Sequence, residues 1–218
     1  NPLRGQNNVQ GAADMGCQPH QGAGYFEVSD EKNQKFYSEK YGVTHPTKAG
    51  LKIPQMFDAA IKKDIKGIWI IGEDIVQTDP NSAHVVEAMN SLELLVVQEI
   101  FMSETAKLAT VVLPGTTFLE KDGTFTNTER RVQRVNRAVA PLPGTKPDGV
   151  IVTDMMQKLG FDQPDYDADQ MLAEIADIVP FFKGITRERL GKFGLQWPVK
   201  EDGTDTQILH TEELSLIH

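Results

Sequence analysis

Three kinds of segment in this sequence carry residues whose types and spacing can do chemistry. The first, Arg4-Gly5-Gln6-Asn7-Asn8-Val9-Gln10-Gly11, sets one guanidinium and four carboxamides beside two glycines. Donors and acceptors can therefore approach a flat, heteroatom-rich ligand closely, although a solvated polar loop has the same composition. The second, Gly72-Glu73-Asp74-Ile75-Val76-Gln77-Thr78-Asp79-Pro80, follows an apolar run. Gly72 permits a tight turn, the next N–H groups can face a phosphate, and the Thr78 hydroxyl can donate. It also reads as an ordinary strand–helix connection. The third kind is a pair of strand ends, Gln98-Glu99 after LELLVV and Gly115-Thr116-Thr117 after TVVLP. An acidic residue at such an end commonly takes ribose hydroxyls in dinucleotide folds, and ligands of open parallel sheets sit beyond the strand carboxyl ends. Thr78 and Gln98 are expected to face one crevice there.

The elements that must position these residues follow from periodicity. Continuous apolar runs at 67–72, 92–98 and 110–114 read as strands covered on both faces. Between them, SAHVVEAMN and SETAKLA read as helices, with Asn81 or Ser82 and Ser103 as caps. This alternation predicts an α/β fold with a Rossmann-like, open, mainly parallel sheet and helices on both faces. PQMFDAAIKK before the first strand is helical, with proline in its first turn. Residues 1–29, rich in Gly, Gln and Asn, read as extended, mobile loop, and 30–45 as a short surface helix. An irregular hairpin is expected within 118–146, then helices over GVIVTDMMQKLG, Ala168–Ile178 and TRERLGKFG. The expected division is 1–29 as an active-site loop segment, 30–168 as the dinucleotide-binding domain with its excursion, and 169–218 as an incomplete helical segment.

Composition removes several classes. Among 218 residues the net charge is −9, which opposes duplex nucleic acid and anionic membranes as partners. The single Cys17 excludes an internal disulfide, a CxxC pair and an iron–sulfur cluster ligated by this chain. Its neighbours give no reason for a reactive thiolate. The histidines are scattered, so no metal site of protein side chains is expected. The basic run Arg130, Arg131, Arg134, Arg137 reads as a solvated or locally paired face. No apolar run approaches the ~18 residues of a membrane span, and no leader is visible. A start without Met reads as a fragment, a processed chain or an excised domain.

NPLRGQNNVQGAADMG, IIGEDIVQTDP, VVQEIFMSETAKLATVVLP, FLEKDGTFTNTERRVQRV and LQWP occur in this order. Together they resemble the catalytic subunit of molybdenum- or tungsten-dependent formate dehydrogenases, in the molybdopterin oxidoreductase family, over residues 1–200. The resemblance implies a bis(molybdopterin guanine dinucleotide) cofactor with Mo or W, held partly by this central segment of a longer subunit. It places Gly5 and Gln6 near the cofactor. Gly72, Glu73, Asp74 and Thr78 would lie on its phosphate and nucleoside, Gln98 and Glu99 on its guanosine, and Gly115 on a neighbouring loop. Asp148, in KPDG, matches an acidic position whose carboxylate can accept from a guanine edge. Gly149 stands where the family motif has Trp. Arg4 matches the arginine that orients formate; its planar fork suits a carboxylate. The resemblance further implies a cytoplasmic enzyme with an iron–sulfur cluster ligated elsewhere in the full-length protein. Its partners would be formate, the remaining domains of the same subunit and electron-transfer subunits, and the isolated segment would be inactive. Alternatives are another reaction on this scaffold, such as nitrate reduction, or a structural subunit that has lost the cofactor.

Overall fold

The computed structural model describes residues 5–200 and 202–206. In chain order, α1 (Val9–Asp14), α2 (Glu31–Tyr41) and α3 (Ile53–Ile61) precede β1 (Gly67–Ile71). Then come α4 (Ile75–Thr78), α5 (Ser82–Asn90), β2 (Leu94–Glu99), α6 (Glu104–Lys107) and β3 (Val111–Pro114). The hairpin β4 (Gly123–Thr126) and β5 (Arg131–Val135) leads to α7 (Asp148–Lys158). Last are α8 (Ala168–Ile178), α9 (Arg187–Leu190) and β6 (Leu195–Gln196). These elements form two compact units, 51–121 with 136–166, and 1–50 with 122–135 and 167–218. The units cut across the division read from the sequence, since 30–50 and 122–135 group with the chain's two ends.

In the unit of 51–121 and 136–166, β1, β2 and β3 lie side by side and parallel. Period-2 alternation sends Ile68, Ile70, Leu95, Val97 and Val112 to one face. They pack there with Phe57 and Ala60 of α3 and with Val85, Ala88 and Met89 of α5. Burying each large side chain fully is worth about 1.5–3 kcal/mol, so this stripe sets the register. Pro54 in the first turn of α3 and the Asn81 carboxamide, which accepts from the His84 amide, start the helices as predicted. Thr110 joins β2 to β3: its hydroxyl accepts from the Leu95 amide at 3.0 Å and its own amide donates to Leu95 O at 2.8 Å. The opposite sheet face carries Trp69, Ile71, Leu94, Val96 and Gln98, and the first residue of α7 meets it at Gln98.

The other unit holds the antiparallel sheet β4-β5-β6. Its core joins Val132, Leu172, Ile178, Val179, Phe181, Phe182, Ile185, Leu190 and Trp197. Here the sequence reading needs correction, because 1–29 is not all extended loop. Val9–Asp14 is helical, and Gln10, Gly11, Ala13 and Asp14 are buried. The helix has no apolar stripe. It is buried through hydrogen bonds to Asp14, which periodicity does not register. Arg130 departs from the expected solvated run as well: it is buried, with its guanidinium carbon 4.8 Å from the Trp197 ring centroid. Arg131 pairs locally as expected, with Glu129 at 2.8 Å.

Candidate functional site

Of the residues singled out from the sequence, Arg4 lies outside the described residues. Gly5 and Gln6 are exposed in the unit that holds α1. The other eight, Gly72, Glu73, Asp74, Thr78, Gln98, Glu99, Gly115 and Asp148, all belong to the parallel-sheet unit. They gather at the carboxyl ends of its strands and at the start of α7.

Beyond β1, Gly72 adopts φ +65°, the left-handed region that favours glycine, while its amide still donates to Gln98 O at 2.9 Å. Thr78, on the exposed end of α4, donates its hydroxyl to Glu73 Oε1. Asp74 is committed internally. Its Oδ1 accepts from the Thr105 amide and hydroxyl at 3.0 and 2.7 Å, and its Oδ2 from Gln77 Nε2 at 2.8 Å. Thr105 Oγ1 in turn accepts from the Val76 amide at 3.1 Å. Burial alone would raise the Asp74 pKa; the donors on Thr105, Glu104 and Gln77 outweigh it and hold the carboxyl below its ordinary value. Asp74 thus pins the β1 loop to the N-terminus of α6.

Beyond β2 and β3 the arrangement is different. Gln98 is 1% exposed, and its Nε2 donates to Asp148 Oδ1 at 2.7 Å. Lys121 Nζ pairs with Asp148 Oδ2. Gly115 approaches closely: a Cβ there would lie 3.3 Å from Asp148 Oδ1. The Gly115 amide donates to Glu99 O at 3.0 Å, and Lys146 N to Pro114 O at 3.1 Å, which brings the chain before α7 onto the strand end. Glu99 Oε1 accepts from the Ile100 amide at 2.7 Å. The Thr117 amide and hydroxyl, both at 2.8 Å from Glu120 Oε2, lower the Glu120 pKa against its burial, with the Leu142 amide adding to them. Two oxygens at this edge are buried with no hydrogen-bond partner among the described residues, Gln98 Oε1 and Thr116 Oγ1.

The placement of Thr78 and Gln98 in one crevice is therefore a correction. Gln98 turns onto the sheet face toward Asp148, whereas Thr78 folds back on Glu73 in solvent. Gln98, Gly115 and Asp148 meet at the β2–β3 edge, and Glu73 and Thr78 meet beyond β1. Sequence reasoning missed Lys121 and Thr105, polar residues inside segments read as hairpin and short helix, for which no spacing signal existed. Gly149, beside Asp148, leaves room for the Tyr166 ring; a Cβ would sit 2.2 Å from Tyr166 Cε2. Among the described residues, no three His, Cys, Asp or Glu side chains lie together as a metal-ligating group. No described helix is long and apolar enough to cross a membrane.

An edge of parallel strands offering an acid, a close-approach glycine and unpartnered buried oxygens suits a base or nucleoside better than an inorganic ion. The molybdopterin oxidoreductase family model matches residues 4–158. The chain is 45% identical over 216 residues to the F420-dependent formate dehydrogenase subunit alpha of Methanocaldococcus jannaschii, covering 98% of this chain and 32% of that one. It is 44% identical to F420-dependent formate dehydrogenase 1 subunit alpha of Methanococcus maripaludis, with the same two coverages, 98% and 32%. Among solved structures, acetylene hydratase from Pelobacter acetylenicus superposes with a TM-score of 0.54 at 22% identity. It covers 69% of this chain and 22% of that one. At that identity the likeness is one of fold. The chain spans about a third of the length of these two curated relatives.

Proposed function

The chain belongs to the molybdopterin oxidoreductase family, and we propose that it is the cofactor-cradling segment of a formate dehydrogenase alpha subunit. The observation that carries this reading is the β2–β3 edge. Gln98 Oε1, on the side chain bonded to Asp148, and Thr116 Oγ1, next to Gly115 after β3, are buried without partners among the described residues. A buried polar atom left unpaired costs about 1–3 kcal/mol, and a ligand edge bearing N–H donors relieves it. The guanine end of a molybdopterin guanine dinucleotide has such an edge. Asp148, Gln98 and Thr116 would hold it, Gly115 would admit it closely, and Glu99 would face its ribose. Gly72, Glu73 and Thr78 would flank its phosphates, with Gly5 and Gln6 on the pterin side. Asp74 would shape the loop from behind.

When bound, the cofactor supplies the redox chemistry at Mo or W, and an iron–sulfur cluster ligated elsewhere in the longer protein would take the electrons onward. This segment supplies orientation. Arg4 would grip the formate carboxylate through its bidentate fork, holding it in place while carbon dioxide forms with release of one proton and two electrons.

The test is made on the full-length subunit. Asp148→Ala is expected to weaken retention of the guanine nucleotide about tenfold, the factor in dissociation constant that 1.4 kcal/mol of lost binding produces, read as nucleotide lost from the purified enzyme on dilution. Arg4→Lys is expected to lower formate turnover by about 100-fold with cofactor retained. Unchanged retention of the nucleotide in Asp148→Ala would remove the β2–β3 edge from the cofactor site. Nitrate reduction without formate oxidation would replace the reaction.

A further inference from the structure

The segment beginning Gly5-Gln6-Asn7-Asn8 is anchored by two devices, and they act on different things. One is the Asp14 carboxylate, fully buried, which accepts from Gln10 Nε2 at 2.7 Å, Tyr25 Oη at 2.6 Å and Trp197 Nε1 at 2.9 Å. It ties three distant stretches of sequence into the aromatic core, and its role is stability. The other is Asn8. Its Oδ1 accepts from the Thr126 amide on β4 at 2.9 Å, and it sits where Gly11 has no side chain. A Cβ on Gly11 would lie 2.3 Å from that same oxygen. The Asn8 carbonyl accepts from the Ala12 amide, and Gln6 O from the Val9 amide, so the turn into α1 is closed on both sides of the tether. Asn8 is half-buried and outside the core cluster. Its bond therefore fixes the turn, not the core.

We propose that Asn8 is a positioning residue that docks the Gly5–Asn8 turn on β4, with Gly11 as the cleft that admits its carboxamide. The proposal rests on the reading that the N-terminal motif binds formate. A turn tied at one side-chain bond and seated against a glycine keeps its backbone direction, which a substrate-orienting segment needs. Thr126 meets Asn8 through its backbone N–H, so the requirement at position 8 is an acceptor of that length.

In the full-length subunit, Asn8→Ala is expected to raise the formate KM about tenfold, since small misplacement at a reacting centre costs this much or more. The melting temperature and cofactor content should stay at the wild-type values, while amide hydrogen exchange of residues 5–8 speeds up. Asn8→Asp keeps the acceptor and should restore KM to within about twofold. Gly11→Ala, which displaces the carboxamide without removing it, should reproduce Asn8→Ala. Unchanged exchange and KM in Asn8→Ala would overturn the proposal, as would an equal rise in KM for Asn8→Ala and Asn8→Asp. If Arg4→Lys leaves formate kinetics unchanged, the formate reading fails by itself, and exchange at residues 5–8 alone decides the role of Asn8.

Discussion

The two units of this chain are held together by different chemistry. In the parallel-sheet unit, the core is mostly aliphatic and mostly local: α3, β1, α4, α5 and β2 follow one another in sequence, and Phe57, Val85, Leu95 and Val97 are buried in one cluster. In the other unit, three segments far apart in sequence converge, and a charged side chain lies among aromatics. Asp14 there binds Trp197 across 183 positions. An aliphatic core tolerates loss by partial collapse, at a graded cost. A polar knot loses several bonds at once when the acceptor its donors share is removed. One part of a fold can be robust and another brittle at equal burial.

The largest expected effect tests the brittle side. Asp14→Ala removes the carboxylate that accepts from the Tyr25 hydroxyl and the Trp197 indole N–H, takes one of two acceptors from the Gln10 amide, and removes a negative charge that acts on Arg130. A loss of about 3–5 kcal/mol is expected, as for a broken buried pair. Asp14→Asn, which retains one carbonyl acceptor, should lose less. Fluorotryptophan labelling gives one reporter per unit, Trp197 and Trp69, and urea unfolding read at Trp197 makes the measurement. A change below about 1 kcal/mol, the net worth of one ordinary hydrogen bond, would show that the knot is not the weak point.

On the other side, Leu95→Ala removes a 2% exposed leucine of β2 from the core of the parallel-sheet unit. The expected cost is about 2–4 kcal/mol, from lost transfer free energy plus the cavity left behind, read at Trp69 under the same conditions. Leu95→Met should cost less than about 1.5 kcal/mol, because volume is nearly kept. If Leu95→Met were as damaging as Leu95→Ala, the aliphatic core would be as shape-critical as the knot, and the contrast would collapse.

The same contrast explains which parts of the molecule could be read in advance. Apolar runs announce β1, β2 and β3, and the helix Ala168–Ile178 falls on the predicted residues, because amphipathic spacing is a property of adjacent positions. Val9–Asp14 was unreadable as a helix: its buried residues are Gln10, Gly11, Ala13 and Asp14, and their partners Tyr25 and Trp197 lie elsewhere in sequence. The Arg130 environment was hidden for the same reason. At the strand ends, Gly72, Gln98 and Gly115 could be named from their positions alone, since topology places strand ends. Where each side chain turns could not. That depends on Asp148, fifty positions after Gln98, and on Thr105, whose hydroxyl claims Asp74.

The smallest expected effect concerns acid, and it turns on the cation-paired carboxyl groups of one unit. In the parallel-sheet unit, Asp74 and Glu120 are held below their ordinary values by amides, hydroxyls and a carboxamide, all neutral donors. The other unit adds carboxyl groups lowered by cations, Asp177 by hydrogen bonding to Lys40 and by its charge, and Glu129 by its bond to Arg131, then by Asn127; beside them Glu188 and Asp202 are lowered first by backbone N–H and hydroxyl donors. In every case the folded pKa lies below the unfolded one. The unfolded chain then binds more protons as pH falls. The stabilisation is complete above the ordinary carboxyl value of about 4 and is lost as pH drops through the folded pKa. Both units should therefore weaken between about pH 5 and pH 3, and the salt response is what differs. The Lys40–Asp177 pair is largely exposed at Asp177, and such pairs contribute little and are screened over a Debye length of roughly 3 Å in 1 M salt. Hydrogen bonds from neutral donors at 2.7–3.0 Å to Asp74 act at contact and keep their strength. Acid titrations at low and high salt, followed at Trp69 and Trp197, should show the Trp197 acid midpoint moving with salt while the Trp69 midpoint stays. Equal salt shifts at both reporters would mean that ion pairs lower the carboxyl groups of both units alike, and Asp74→Asn would then leave the Trp69 acid profile unchanged instead of flattening it.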